Sequence, residues 1–260
     1  MNSAINKDMM VRLFKKFLLL NLGFFFCALG TVFFIKSGSG MSPWEVLHSG
    51  IASTFDIRIG RAGIIISGII VALDCLLGAK IGIGTVLNML FIGLFTDMIL
   101  SLEIINTSSI YMVQIAFLFI GMFAMNIGIW IYISQGLGAG PRDGLMVAVS
   151  KRSGISVQTV RSSIETAAVI IGIMLGGSFG FGTIICAILA GPFMKLIFDR
   201  IGFDVKGVSH TYIDDYFIKK RVLGTDADEE RKKKGMQIDY RGRYEIYSTD
   251  FKQDSDTFCH

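Results

Sequence analysis

Charged residues and prolines are scarce in this sequence of 260 residues. Only 18% of the residues are charged and three are proline, whereas 52% are hydrophobic and the mean hydropathy is +0.58. This composition excludes an ordinary soluble domain and is typical of a membrane protein. The charges crowd into the first sixteen and the last sixty positions, so the long stretch between them is the part expected to contact lipid.

The sequence also lacks the clusters that mark metal sites and familiar enzymes. The four cysteines have no metal-ligand spacing, three of them lie in apolar runs, and the three histidines form no cluster. No Walker motif, dinucleotide-binding fingerprint or Ser/His/Asp arrangement occurs. We therefore expect no enzymatic activity, no cofactor and no metal, and we interpret the cysteines as packing residues.

Long apolar runs are what the sequence does contain. About 20 residues of helix cross about 30 Å of hydrocarbon, and a spanning segment in lipid must satisfy its own backbone. Four runs are clear, and two more are shorter or carry a charge: 14–35, 83–102, 111–133 and 182–198, then 63–77 and 160–175. They predict an all-α polytopic membrane protein. The first run is too long for a cleavable signal peptide and is interpreted as an uncleaved span.

An internal repeat organises these runs. Pro43 and Pro141 are separated by 98 residues, and the same offset places many glycines on glycines without a gap. We therefore predict two homologous membrane repeats, 14–102 and 111–201, between an N-terminal segment 1–13 and a polar tail 203–260. Each repeat contains three transmembrane helices plus a short broken or re-entrant helix that begins at its proline.

The number of spans decides how the repeats are oriented. Lysine and arginine near both ends of the membrane part place both termini in the cytoplasm of a bacterial plasma membrane. Six spans give inverted repeats, an arrangement of many secondary transporters, with Arg58 and Arg61 outside. If the short helices at 43–55 and 141–153 also cross, the chain has eight spans and parallel repeats, and both arginines lie inside.

Several sequence blocks resemble the YczE-like family of bacterial integral membrane proteins, which is distantly similar to the YitT group. The blocks are GSGMSPWEVLHSG from residue 38, GLGAGPRDGLM from residue 136, RSSIE from residue 161, and the glycine-threonine turns GIGT and FGT. The resemblance covers about residues 14 to 200. It implies a small multi-spanning plasma-membrane protein, with an export role suggested for some relatives.

The two proline blocks predict helix starts. Ser42 is a capping residue, Pro43 stands at the first helical position and Glu45 completes the pattern of a capping box. Pro141 begins the second helix, with Arg142 and Asp143 behind it. A helix start near the membrane favours an anion, and Arg142 adds a fork-shaped positive charge. The structural alternative is that the two acids only cap their helices and that Arg142 lies at the surface or pairs with an acid.

Further candidate residues lie in the spans. Arg161 and Glu165 are four residues apart, so on a helix they face the same side and can form a bridge. Asp74 lies inside an apolar run without a like-spaced partner, and it is either a proton or cation site or a residue near the interface. Trp44 is either a substrate contact or an interfacial anchor.

The tail, residues 203–260, is polar and rich in charged residues, unlike the membrane part. It contains basic clusters at 219–221 and 231–234 beside an acidic segment, which are typical of a solvated tail or of contact with anionic lipid headgroups. Aromatic and β-branched residues around Arg241 and Gly242 predict a marginal hairpin.

Two classes of function agree with these features. The first is a secondary transporter or exporter of a small molecule, for which the helix starts and Arg142 favour an anionic group. The alternative is a non-transporting membrane scaffold or regulatory protein. The expected partners are the lipid bilayer and a small-molecule substrate, with no nucleic acid. The residues predicted to bind the substrate are Pro43, Trp44, Glu45, Asp74, Pro141, Arg142, Asp143, Arg161 and Glu165.

Overall fold

The structure, a computed structural model, describes residues 2–214, 236–238 and 244–246. The chain separates into two units, residues 1–211 and 212–260. The first unit is helical in its described part, with these elements: α1 (Asn2–Ser37), α2 (Pro43–Phe55), α3 (Ile59–Leu76), α4 (Ile83–Ser101), α5 (Tyr111–Ile133), α6 (Pro141–Ser153), α7 (Val157–Met174), α8 (Phe181–Ile201) and a 3-10 turn (Val205–Gly207).

Five of the described helices are long and apolar enough to cross a membrane: α1, α3, α4, α5 and α8. Many large apolar side chains on them are exposed, among them Ile69, Phe123 and Ile188, as expected for surfaces that contact lipid. The sixth predicted span, α7, has 18 residues like α3. Its first half contains Arg161 and Glu165, which make it the most polar of the predicted spans.

The helix starts repeat at the offset found in the sequence. The short helices α2 and α6 begin at Pro43 and Pro141, and both have 13 residues. Likewise α3 and α7 begin 98 residues apart, as do α4 and α8. The sequence placed the starts of α3 and α7 four and three residues too late, because their first turns are less apolar than the rest.

The helices α1 and α5 pack closely against each other along their lengths. Gly23 lies against Gly128, and Gly30 lies against Gly121, so the chain directions of the two helices are antiparallel. A Cβ atom on Gly30 would lie 2.7 Å from the Gly121 carbonyl oxygen. The absence of side chains at these crossings therefore allows direct backbone contact, which is a common way for helices to associate in lipid.

The glycine-threonine turns connect two groups of helices, α1 to α4 and α5 to α8. At the start of α4, Gly84 N donates to Leu137 O at 2.8 Å and Thr85 Oγ1 donates to Ala139 O at 2.6 Å. At the start of α8, Gly182 N donates to Ser39 O at 2.7 Å and Thr183 Oγ1 accepts from Met41 N at 3.1 Å. Each turn therefore binds the loop that precedes the short helix of the other group.

Glycine is required in both of these loops. Gly40 and Gly138 have φ values of +116° and +121°, a region that side chains disfavour. A Cβ atom at either position would also lie within 2.7 Å of the threonine Oγ1 of the facing turn. Both the backbone conformation and the close approach therefore exclude a larger residue.

The second unit contains the predicted hairpin strands. Met236–Ile238 (β1) pairs antiparallel with Tyr244–Ile246 (β2), with Gln237 opposite Glu245. The connection around Arg241 and Gly242 and the basic clusters at 219–221 and 231–234 lie outside the described residues.

Candidate functional site

A cavity of about 290 Å³ lies inside the membrane part and is lined by residues of all eight helices. Eight of the nine residues predicted from the sequence line it: Pro43, Trp44, Glu45, Pro141, Arg142, Asp143, Arg161 and Glu165. The cavity therefore brings together residues that lie more than a hundred positions apart in the sequence.

The first turns of α2 and α6 supply most of the charged lining. Both helices begin at a proline, with Ser42 and Gly140 as their N-cap residues. The predicted helix starts are confirmed, but the capping box at Ser42 is wrong because the Ser42 side chain makes no capping hydrogen bond. Glu45 was predicted to complete this capping box, but its carboxylate is directed toward Arg142 of α6, the other short helix.

Arg142 forms a compact group with three side chains of α2. Its Nη2 atom lies 3.7 Å from Glu45 Oε1, and its guanidinium carbon lies 4.8 Å from the centroid of the Trp44 ring. Nη2 is also 3.5 Å from His48 Nε2. A guanidinium only donates hydrogen bonds, so in this contact His48 Nε2 is the acceptor. Arg142 therefore contacts an acid, an aromatic face and an imidazole together.

Glu45 is incompletely satisfied by these contacts. Its side chain is 2% exposed, and Oε2 has no hydrogen-bond partner among the described residues. A buried polar atom without a partner costs about 1–3 kcal/mol, and more when it is charged. On the cavity wall, this oxygen is available to a hydrogen-bond donor inside the cavity.

Arg161 and Glu165 form the predicted bridge on α7. Arg161 Nε donates to Glu165 Oε1 at 2.9 Å, and the two side chains are 34% and 21% exposed. Both side chains are half-buried, and the consequence of the bridge for the cavity is that the two charges are mutually neutralised.

Asp143 is the third acid of the cavity. It lies close to Gly140, near the hydroxyl group of the buried Tyr132. The described lining therefore contains three carboxylates, on Glu45, Asp143 and Glu165, against two guanidinium groups. With all five groups ionised and His48 neutral, the formal charge of the lining is one negative charge.

Asp74 lies apart from this group. It does not belong to the described lining of the cavity, and its side chain is 2% exposed. A Cβ atom on Gly144 of α6 would lie 2.8 Å from Asp74 Oδ2, while Oδ1 has no hydrogen-bond partner among the described residues. Asp74 therefore fills the crossing of α3 and α6.

Sequence reasoning missed His48 and Tyr132, which both line the cavity. His48 follows Glu45 by three residues, so on α2 it faces the same side, and this spacing was the available signal. Tyr132 lies in an apolar run and had no such signal. Asn88 and Asn126 also line the cavity, and Asn126 Nδ2 donates to Met122 O of its own helix at 2.8 Å.

Comparison with known proteins gives the family. A family profile described as a family of unknown function, DUF6198, matches residues 14–199, which include all eight helices except the ends of α1 and α8. An uncharacterized protein of Haemophilus influenzae is 34% identical over 173 residues, covering 66% of this chain and 78% of that protein.

Two Bacillus subtilis (strain 168) proteins are also similar. The uncharacterized membrane protein YczE is 37% identical over 157 residues, covering 60% of this chain and 72% of YczE. The uncharacterized protein YyaS is 26% identical over 190 residues, covering 70% of this chain and 91% of YyaS. No solved structure matches the chain significantly.

Proposed function

The chain belongs to the YczE-like family DUF6198, and from this premise we propose that it is a secondary transporter or exporter of a small charged molecule. The binding site of this transporter is the cavity between two repeats of the membrane part. The observation that carries the proposal is the group of five charged side chains that line one cavity inside a membrane protein. Ionisable residues are costly in lipid, and they usually mark a substrate or ion pathway.

The antiparallel contact of α1 and α5 supports inverted repeats. With six spans, three crossings separate equivalent helices, so α1 and α5 run in opposite directions. Eight spans would make them parallel, which disagrees with the contacts Gly23 to Gly128 and Gly30 to Gly121. The lengths of α2 and α6 also agree with six spans, because 13 residues of helix extend about 20 Å and do not cross about 30 Å of hydrocarbon.

In this arrangement α2 and α6 are half-helices that start in the cavity and end toward opposite membrane faces. Broken helices with starts at the midplane, placed between inverted repeats, form the binding sites of several transporter folds. We place the chain in the bacterial plasma membrane with cytoplasmic termini. Lys151 and Arg152 at the end of α6 then lie in the cytoplasm, in agreement with the excess of positive charge on that side.

A scaffold does not need a cavity that opens to both sides, and this difference provides a test that requires no substrate. Ser67 of α3 lines the cavity and is half-buried. We propose to place a cysteine there, Ser67→Cys, in a variant whose four native cysteines are replaced by alanine. A membrane-impermeant maleimide is then added to right-side-out and to inside-out vesicles.

A transporter exposes its site alternately, so Ser67→Cys should react in both vesicle orientations. The matched control is Phe55→Cys at the exposed end of α2, which should react in one orientation only. Reaction of Ser67→Cys from a single side, or from neither, would favour the scaffold alternative.

A further inference from the structure

The chemical class of the transported molecule follows from the contacts that the Arg142 guanidinium makes with Glu45 and Trp44 in the cavity. We propose that the cavity binds a small organic cation with an ammonium or guanidinium group, which takes the place of the Arg142 guanidinium on Glu45 and Trp44. This inference rests on the proposed function and specifies the substrate of the same site.

The first argument is the charge of the lining. The lining contains three carboxylates and two guanidinium groups, so with all five ionised its formal charge is one negative charge. A bound monovalent cation would bring the site to neutrality, whereas a bound anion would leave two negative charges in a site of low dielectric. The anionic group expected from the sequence depended on the two helix starts and on Arg142.

The second argument is the contact surface itself. Trp44 presents its ring face to a guanidinium at 4.8 Å, which is the geometry of cation recognition by aromatic residues. Glu45 Oε2 is buried, and it has no hydrogen-bond partner among the described residues. An ammonium or guanidinium donor would satisfy this oxygen, and an anion would not.

The third argument is that the ion pair between Arg142 and Glu45 is weak. Its Nη2 atom lies 3.7 Å from Glu45 Oε1, which is longer than the usual 2.7–2.9 Å of a charge-assisted hydrogen bond. Its side chain is 29% exposed, compared with 2% for Glu45. Arg142 thus acts as an internal cation that an external one can displace.

The volume of the cavity and its flexible methionine side chains limit the ligand further. A volume of about 290 Å³ is at the lower end of ligand pockets. The lining includes the thioether side chains of five methionines, which adapt to ligands of irregular shape: Met89, Met122, Met125, Met146 and Met194. The site therefore suits the alkyl part of a small organic cation.

The fluorescence of Trp44 allows ligand binding to be measured. The chain has one other tryptophan, Trp130, which lies outside the cavity lining. In a Trp130→Phe variant purified in detergent, Trp44 is the sole tryptophan. We would titrate it with methylguanidinium chloride and with sodium acetate at constant ionic strength. Methylguanidinium should change the Trp44 fluorescence saturably, and acetate should not.

Four substitutions in this background separate the roles of Glu45 and Arg142 from those of a buried acid outside the cavity. Glu45→Gln should raise the Kd for methylguanidinium about tenfold or more, whereas Asp74→Asn, an equally buried acid outside the cavity, should change it less than about twofold. Arg142→Gln removes the internal competitor and should lower the Kd about tenfold, or about 1.4 kcal/mol. Arg142→Lys should give an intermediate Kd, and its retained charge keeps the test valid if the glutamine variant does not fold.

The opposite pattern would overturn the proposal. Binding of acetate that disappears in Arg142→Gln would identify an anion site, and a folded protein without any response to methylguanidinium would exclude a cation site. Cation binding can fail while Ser67→Cys still reacts from both sides, which would leave a transporter for another molecule. Cation binding with one-sided access would instead leave a binding protein that does not transport.

Discussion

At the scale of single residues, Asp74 and Gly144 form a contact in which the glycine leaves room for a buried carboxyl group. A Cβ atom on Gly144 would lie 2.8 Å from Asp74 Oδ2. We predict that Gly144→Ala lowers the free energy of unfolding by about 1–3 kcal/mol through overpacking. Adding Asp74→Ala should restore most of this loss, because the Ala side chain lacks the clashing oxygen.

Unfolding in mixed detergent micelles, for the two single variants and the double variant, measures this coupling. Additive effects of the two substitutions would show that Asp74 and Gly144 do not share a tight contact. The control is Gly68→Ala in α3, where the nearest atom to an added Cβ is Met89 Sδ at an ordinary 3.7 Å.

The residues of the site differ in how far the sequence could predict their contacts. The Arg161 and Glu165 bridge follows from a spacing of four on one helix, and the structure contains it at 2.9 Å. The contacts of Arg142 with Glu45 and His48 join helices 94 or more positions apart. Local spacing has no information on such pairs, because they depend on how the helices are arranged.

At the scale of helices, α1 and α5 depend on glycine where they cross. A Cβ atom on Gly128 would lie 2.5 Å from the Gly23 carbonyl oxygen and 2.6 Å from Cys27 Sγ. We predict that Gly128→Ala separates the helices and lowers the free energy of unfolding by about 1–3 kcal/mol. Gly68→Ala should be neutral or stabilising by up to about 1 kcal/mol, since alanine is the better helix former.

The same unfolding assay compares the two alanine variants. Equal stability of Gly128→Ala and Gly68→Ala would contradict a direct backbone contact between α1 and α5. The clash involves backbone atoms and the Sγ atom of Cys27, so a rotation of flexible side chains cannot relieve it.

The sequence predicted the helix starts but not what the glycine-threonine turns bind. Pro43 and Pro141 are local signals, because proline fits the first helical turn and is disfavoured farther inside. The glycine-threonine turns that contain Thr85 and Thr183 are visible in the sequence. Their partners, Ala139 O and Met41 N, belong to distant loops, and the repeat alone did not predict this exchange between the two groups of helices.

At the scale of the whole molecule, inverted repeats make a prediction about the ends of the short helices. Phe55 and Ser153 are separated by 98 residues and are both exposed. Inverted repeats place them on opposite faces of the membrane, whereas eight spans with parallel repeats place them on the same face. Cysteines at the two positions should therefore react with an impermeant maleimide from opposite sides of oriented vesicles.

Retention of both single-cysteine variants in the membrane and an unchanged elution volume are the controls for this labelling. Labelling of Phe55→Cys and Ser153→Cys from one and the same side would contradict the six-span arrangement. In that case the antiparallel contact of Gly23 with Gly128 would need a different explanation.

The central claim, that a cavity between inverted repeats carries a small cation across the membrane, is tested most directly by exchange flux. Proteoliposomes loaded with unlabelled methylguanidinium would be diluted into radiolabelled methylguanidinium, with wild-type protein, Glu45→Gln or no protein. We predict uptake of label by the wild type well above protein-free liposomes, and its loss in Glu45→Gln, because the carboxylate that holds the cation is missing. Wild-type uptake no greater than that of protein-free liposomes, from protein that binds methylguanidinium in detergent, would contradict the claim.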